Sequence, residues 1–240
     1  MNELDRRDAM KLMAVSLGSA MTISSIPAFA ADAGTGKSSD EIPIKPLPFD
    51  PKKLHGISEK LITSHWENNY AGSVKTLNAV NKRLLASMAD KDYPAFAYGD
   101  LKREHLMRTG SVVFHELYFA NLGGNGKCGG RVEKSLKGSF GDLNTWETEF
   151  RRIAQSLGGG SGWVVLGYNF HLKRLENYWA ADHMYSAAAS APLLVMDMYE
   201  HSYQMDYGAA AAKYIDAFFQ NIEWEAVEKR FDRAKSWKWV

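Results

Sequence analysis

The chain has 240 residues, 45% of them hydrophobic and 12% aromatic, with a formal net charge of +1. A near-balanced charge with no long basic run excludes the electrostatic footprint of a nucleic-acid-binding surface, and a single cysteine, Cys128, excludes an internal disulfide. The length is ample for one buried core or two small lobes, to be held together by packing, a metal or subunit contacts.

The first residues have the pattern of a targeting segment. Arg6, Arg7 and Lys11 precede a modestly apolar run from Leu12 to Ile26, and then comes Pro27-Ala28-Phe29-Ala30-Ala31. Paired arginines, a short apolar stretch and a small-residue cleavage signal match a twin-arginine export leader over residues 1–30, cut after Ala30. The run is too short, and too often interrupted by Ser, Gly and Thr, to stay behind as a membrane span. The expectation is a periplasmic protein with no membrane association after cleavage. Residues 31–53 form a strap, because Pro43, Pro46, Pro48 and Pro51 forbid helix and favour extended chain.

Ile57 to Met88 shows helical spacing, with Leu61, Ile62, Val74, Leu77, Val80 and Leu84 recurring at three- and four-residue steps. His65 and Asn69 share the stripe of Leu61. After a turn at Asp90–Pro94, a second helix is expected from Asp100 or Leu101 to Leu122, and the short connection makes the pair antiparallel. These form a helical-hairpin domain over 54–122. Five glycines within residues 123–130 end it.

The second domain, 131–240, is mixed. Helices are expected over Val132–Lys137 and Leu143–Leu157, then strands over Trp163–Tyr168, Arg174–Ala181 and Pro192–Met198. A last helical run covers Tyr199–Ile222 and extends or restarts from Glu223 to Ala234. The fold class is therefore α+β: a long N-terminal antiparallel helical hairpin plus a C-terminal lobe with a three-stranded antiparallel sheet flanked by helices.

The chemistry centres on Asp197-Met198-Tyr199-Glu200-His201. An acid at the end of an apolar strand, followed four residues later by a histidine, can aim an oxygen and a nitrogen at one point. Asp197 as a helix cap and His201 as an ordinary interior histidine is the simpler alternative. Of seven histidines, His55 and His171 adjoin turns and His105 lies among charges, while His65, His115, His183 and His201 sit among apolar or small residues. Four buried imidazoles without partners would cost several kcal/mol. Either each finds its own hydrogen bond, or several share a cation. His65, His115, Asp197 and His201 make such a donor set, suited to iron, manganese or zinc with one position left for water.

The order of these residues, with Gly160-Ser161-Gly162-Trp163 entering a strand and Asp197-x-x-Glu200-His201-x-Tyr203 near the end, resembles the iron/manganese superoxide dismutase family. Smaller echoes are Leu77-Asn78, Ser139-Phe140-Gly141, Asp206-Tyr207 and Asn221-Ile222-Glu223-Trp224. The resemblance implies metal ligation by His65, His115, Asp197 and His201, with Trp163 beside the site. It also implies a homodimer, in which Glu200 contacts the partner's metal-ligating histidine and Tyr203 belongs to the interface.

The implied activity is conversion of superoxide to dioxygen and hydrogen peroxide by redox cycling of one iron or manganese ion per chain. Zinc has no such cycle. Departures from the family pattern fall at Asn69 and Ser73, where a histidine and a tyrosine are usual, and at Ser111, too short to reach solvent on the metal. Asp182-His183 offers a replacement, His183 being the better candidate for the solvent partner. His183, Asn69 and Trp163 are thus the residues expected to act on solvent and substrate, with reduced or pH-shifted activity. The alternative is a metal-binding relative with little or no catalysis. A mononuclear iron oxygenase is disfavoured, since four protein ligands leave too few open positions.

Overall fold

The computed structural model describes residues 41–237. The expected leader and the first part of the strap, residues 31–40, lie outside the described residues, as do 238–240.

The strap runs extended to a single 3₁₀ turn at Pro51–Lys53 and is pinned to the first helix by polar contacts. Asn78 receives the Ile42 N–H at 3.0 Å and donates to the Ile42 carbonyl, while Lys45 N–H donates to the Tyr70 hydroxyl and the Trp66 indole donates to the Lys45 carbonyl. Prolines leave a strap's backbone without a ladder of its own, so side chains of the neighbouring helix take that place.

The first helical run begins behind Ser58, whose hydroxyl caps Leu61 N–H. It has three parts: α1 (Glu59–Ser64), a π-helical turn (His65–Tyr70) and α2 (Ala71–Ala89). The expected single helix is thus continuous but carries one wide turn, and both ends of that turn, His65 and Tyr70, are buried. Wide turns of this kind re-aim side chains and recur at functional sites.

The partner helix α3 (Ala95–Phe119) starts about one and a half turns earlier than its apolar spacing indicates. Pro94 supplies the fixed φ of −65° that opens it, but its first turns bury nothing and Phe96 stays exposed, so no apolar stripe marks them. Its second half is buried through Val112, Phe114, His115, Tyr118 and Phe119.

The glycine-rich link leads to α4 (Gly130–Phe140) and to α5 (Leu143–Leu157), where Asp142 caps Thr145 N–H at 2.6 Å. Three strands follow: β1 (Trp163–Asn169), β2 (Arg174–Ala180) and β3 (Ser190–Asp197). The sheet order is β2-β1-β3, antiparallel throughout, with a register shift at Leu166/Gly167. β1 is central and its Trp163–Leu166 segment is fully buried. The register sets Trp163 opposite Asp197 on one side and Ala180 on the other.

The expected last helix is broken. A 3₁₀ turn at Glu200–Ser202 leads to the short α6 (Gln204–Tyr207), then Gly208, at φ +53°, reverses the chain before α7 (Ala211–Gln220) and α8 (Trp224–Ser236). One apolar core joins the helical pair to the sheet, from Leu54 to Ala234. Among the described residues no helix is long and apolar enough to cross a membrane.

Candidate metal centre

Four side chains from four elements meet where the helical pair touches the edge of the sheet. One donor atom each from His65, His115, Asp197 and His201 lies within 4.8 Å of the others, with the first three fully buried. The Asp197 carboxylate is the hub: its Oδ2 stands 3.1 Å from His65 Nε2, 3.2 Å from His201 Nε2 and 3.6 Å from His115 Nε2.

Local structure aims each donor. The π-helical turn carries His65 inward. In α3, His115 Nδ1–H donates to the Ser111 carbonyl at 2.7 Å, which leaves the lone pair of Nε2 facing the hub. Asp197 ends β3. Its Oδ1 accepts Tyr199 N–H at 2.8 Å, and its backbone carbonyl accepts the hydroxyls of Tyr214 and Ser202, so only Oδ2 remains to face inward. The 3₁₀ turn brings His201 back over Asp197 and leaves about a quarter of its side chain exposed.

Three ring nitrogens, both of His65 and Nε2 of His115, are buried without a hydrogen-bond partner among the described residues. Buried polar atoms are rarely left so, because each costs the free energy of its lost hydration. His65 Nε2 lies close to Asp197 Oδ2 but not at the angle of a hydrogen bond, so the two atoms converge on a shared point rather than on one another. Burial lowers the pKa of His65 and of His115, the latter to about 3, so both are neutral at pH 7. For Asp197 burial acts upward, but the imidazoles of His201 and His65 outweigh it and hold the carboxyl well below its usual range. Neutral imidazoles around one ionised carboxylate are the protonation states a divalent or trivalent cation requires, and the donor set fits iron or manganese.

Aromatic rings wall the cluster. Tyr118 and Phe119 lie 5.2 and 5.1 Å from the His65 ring, and Trp163 lies 5.0 Å from that of His115. The open side is a polar mouth of about 310 Å³ leading to His115 and His201.

Asn69 lines this mouth beside Ser73 and Ser111, whose hydroxyls are 2.9 Å apart. Ser111 Oγ is also 3.3 Å from His115 Nδ1. Ser111 thus joins Ser73 and His115 in one buried polar chain. Of Asp182 and His183, the histidine faces the mouth; the aspartate accepts Met184 N–H within its own turn.

Three contacts seat His183. Its Nδ1 accepts the Trp163 indole N–H at 3.0 Å, so the neutral ring carries its proton on Nε2. Its ring stacks on Tyr199 at 4.7 Å and 11°. At Gly110, α3 comes so close that a Cβ would stand 1.7 Å from the His183 carbonyl oxygen. Tyr199 in turn stacks on His201 at 5.3 Å and 17°.

Glu200 is exposed beside His201. Tyr203, expected at a subunit interface, is buried within the chain, and its hydroxyl accepts Gly159 N–H at 3.1 Å.

Tyr199, Gly110 and Arg108 are the site residues that the sequence reading missed. Arg108, Ser111 and His115 recur at i, i+3 and i+7, a helical face that was legible. Tyr199 lies two residues after Asp197. Gly110 carries no local signal, since what it accommodates is a loop some seventy residues on.

Residues 128–230 match the family model described as iron/manganese superoxide dismutases, C-terminal domain. The chain is 49% identical over 191 residues to an iron superoxide dismutase of Cupriavidus metallidurans, covering 80% of this chain and 96% of that protein. It is 35% identical to an iron superoxide dismutase of Aquifex pyrophilus, over 77% of this chain and 88% of the relative. To a manganese superoxide dismutase of Halobacterium salinarum it is 30% identical, over 81% and 96%.

Proposed function

Because the chain belongs to the iron/manganese superoxide dismutase family, we propose that His65, His115, Asp197 and His201 hold its one iron or manganese ion. The protein is a superoxide dismutase, an oxidoreductase that converts two superoxide anions and two protons to dioxygen and hydrogen peroxide. A bound iron or manganese ion would supply the one-electron redox chemistry of this reaction.

The chain's residues supply the rest. Asp197 stays ionised and His65 and His115 stay neutral, so these three donors already hold the protonation states that a cation requires. The aromatic wall keeps water to the mouth, which strengthens each electrostatic contact inside. His183 holds a proton on Nε2 at the mouth and donates it in a hydrogen bond to solvent or substrate there, its other nitrogen being taken by Trp163. Asn69 offers an amide and Ser73 and Ser111 a hydroxyl pair, groups through which the two protons of each cycle can be ordered.

The observation that carries this assignment is the group of buried, unpartnered imidazole nitrogens around Asp197 Oδ2. The test is an assay of the mature chain loaded separately with iron and with manganese. Metal-dependent removal of superoxide is expected with at least one of them, and no removal with either contradicts the reading.

Two further proposals accompany it. Export through residues 1–30 to the periplasm is supported by Arg6-Arg7 and the Ala28-Phe29-Ala30 signal. N-terminal sequencing of the secreted form tests it, with Ala31 expected first. A homodimer is supported by exposed Glu200 beside the partly exposed His201. Light scattering of the loaded chain tests that, a monomer mass being the contrary result.

A further inference from the structure

Resting on the dismutase reading, we propose that Arg108 is the anion-docking residue of the mouth. Its guanidinium receives superoxide and, in competition with it, other small inorganic oxyanions.

The argument starts from placement. Arg108 lies on the same face of α3 as Ser111 and His115, one and two turns before them, and it lines the mouth with Asn69 and Ser73. Among the described residues no other Lys or Arg lines this cavity.

The guanidinium is held but not saturated. Glu104, one turn earlier, accepts its Nε–H at 2.7 Å, and both side chains are about two-thirds buried. That contact fixes the side chain along the helix. The two terminal nitrogens have no hydrogen-bond partner among the described residues. A planar guanidinium with free terminal N–H groups is a fork matched to two oxygens of one anion.

The surroundings favour the same ligand. The Asn69 amide and the Ser73–Ser111 hydroxyl pair add neutral donors across the mouth. The volume of about 310 Å³ exceeds by far the roughly 30 Å³ a water molecule occupies in the liquid, so a four- or five-atom oxyanion fits with water beside it. Glu104 offsets part of the arginine's long-range field. Arg108 therefore acts on an anion over a short range, within a Debye length of about 10 Å at 0.1 M salt, and added salt shortens that range further.

The experiment compares wild type, Arg108→Gln and Arg108→Lys as metal-loaded full-length mature chains with equal metal content. Binding of inorganic phosphate is read by calorimetry, and superoxide removal is followed across ionic strength. The account expects Arg108→Gln to weaken phosphate binding about tenfold or more and to slow superoxide removal several-fold at low salt, the difference closing at high salt. Arg108→Lys restores the salt dependence but not the full phosphate affinity, because a point charge lacks the fork. Unchanged phosphate affinity and unchanged salt dependence in Arg108→Gln overturn the proposal while leaving the dismutase reading in place. Arg108-dependent phosphate binding by a loaded wild-type chain that removes no superoxide supports the docking site and overturns the dismutase reading instead.

Discussion

The floor of the site and its mouth are built by different rules. At the floor, His65, His115 and Asp197 are wholly buried, their backbones are locked into a π-turn, a helix and a strand end, and unpartnered nitrogens point inward. At the mouth, Asn69 and His183 are partly exposed, Ser73 and Ser111 pair through their hydroxyls, and His183 is seated by Trp163, Tyr199 and the backbone at Gly110. The floor decides whether an ion is held. On the proposed reading the mouth governs access of solvent, protons and anions, so changes there are expected to alter rate with the ion still in place.

The largest effect should follow from breaking the floor. Asp197→Asn removes the one charge that three imidazoles share, so metal content after purification should fall to background by elemental analysis, and dismutase activity with it. Retention of one ion per chain would mean that the hub lies elsewhere.

Acid should break the floor more gradually. His65 and His115 have folded-state pKa values below their unfolded value of 6.5, so the unfolded chain takes up protons first. The stability they contribute is present above that value and is lost as pH falls from 6.5 toward the folded constant, about 3 for His115. For His115 the loss should approach ~1.4 kcal/mol per pH unit within that window, and His65 adds to it in the same direction. Asp197, ionised when folded, adds a loss in the same direction below its ordinary value of 3.8. Denaturant unfolding of the metal-free chain at a series of pH values checks the sign, and a fold that gains stability on acidification would refute it.

Gly110→Ala sharpens the contrast, because it attacks the mouth from behind. With 1.7 Å between the new Cβ and the His183 carbonyl oxygen, the His183 loop must move. About 1–3 kcal/mol of stability should be lost to overpacking, together with roughly 10–100-fold in rate as the solvent-facing group shifts, while bound metal stays near one per chain. Thermal unfolding, turnover and metal analysis on one sample read all three. Tyr199→Leu should be milder: losing the stack on His183 and His201 removes about 0.5–1.5 kcal/mol of orientation. A few-fold drop in rate is expected, recovered in Tyr199→Phe, which keeps the ring.

The same contrast governs what could be read from the amino-acid order. Donors on the floor had to be His or Asp at the inward positions of regular elements, and the three strands, the antiparallel helices and the Asp197–His201 corner showed in periodicity and turn residues. The π-turn did not, since one additional residue per turn leaves no compositional mark. The early start of α3 was silent because its first turns bury nothing, and Gly208 alone hinted that the run after Tyr199 is broken. The mouth was harder still. Its geometry depends on the Gly110 approach to His183 and on the tautomer that Trp163 imposes, both set by residues far apart in sequence. Tyr203 shows the limit from the other side: its place in the motif gave no sign of its burial within the chain.

The central claim is that three imidazoles and one carboxylate enclose a single redox-active ion. X-ray absorption at the metal edge, on the chain loaded with iron or manganese, tests it together with elemental analysis. One ion per chain is expected, in a nitrogen- and oxygen-only shell that loses imidazole scattering in His115→Ala. An ion whose surroundings are untouched by that substitution, or no bound ion at all, would contradict it.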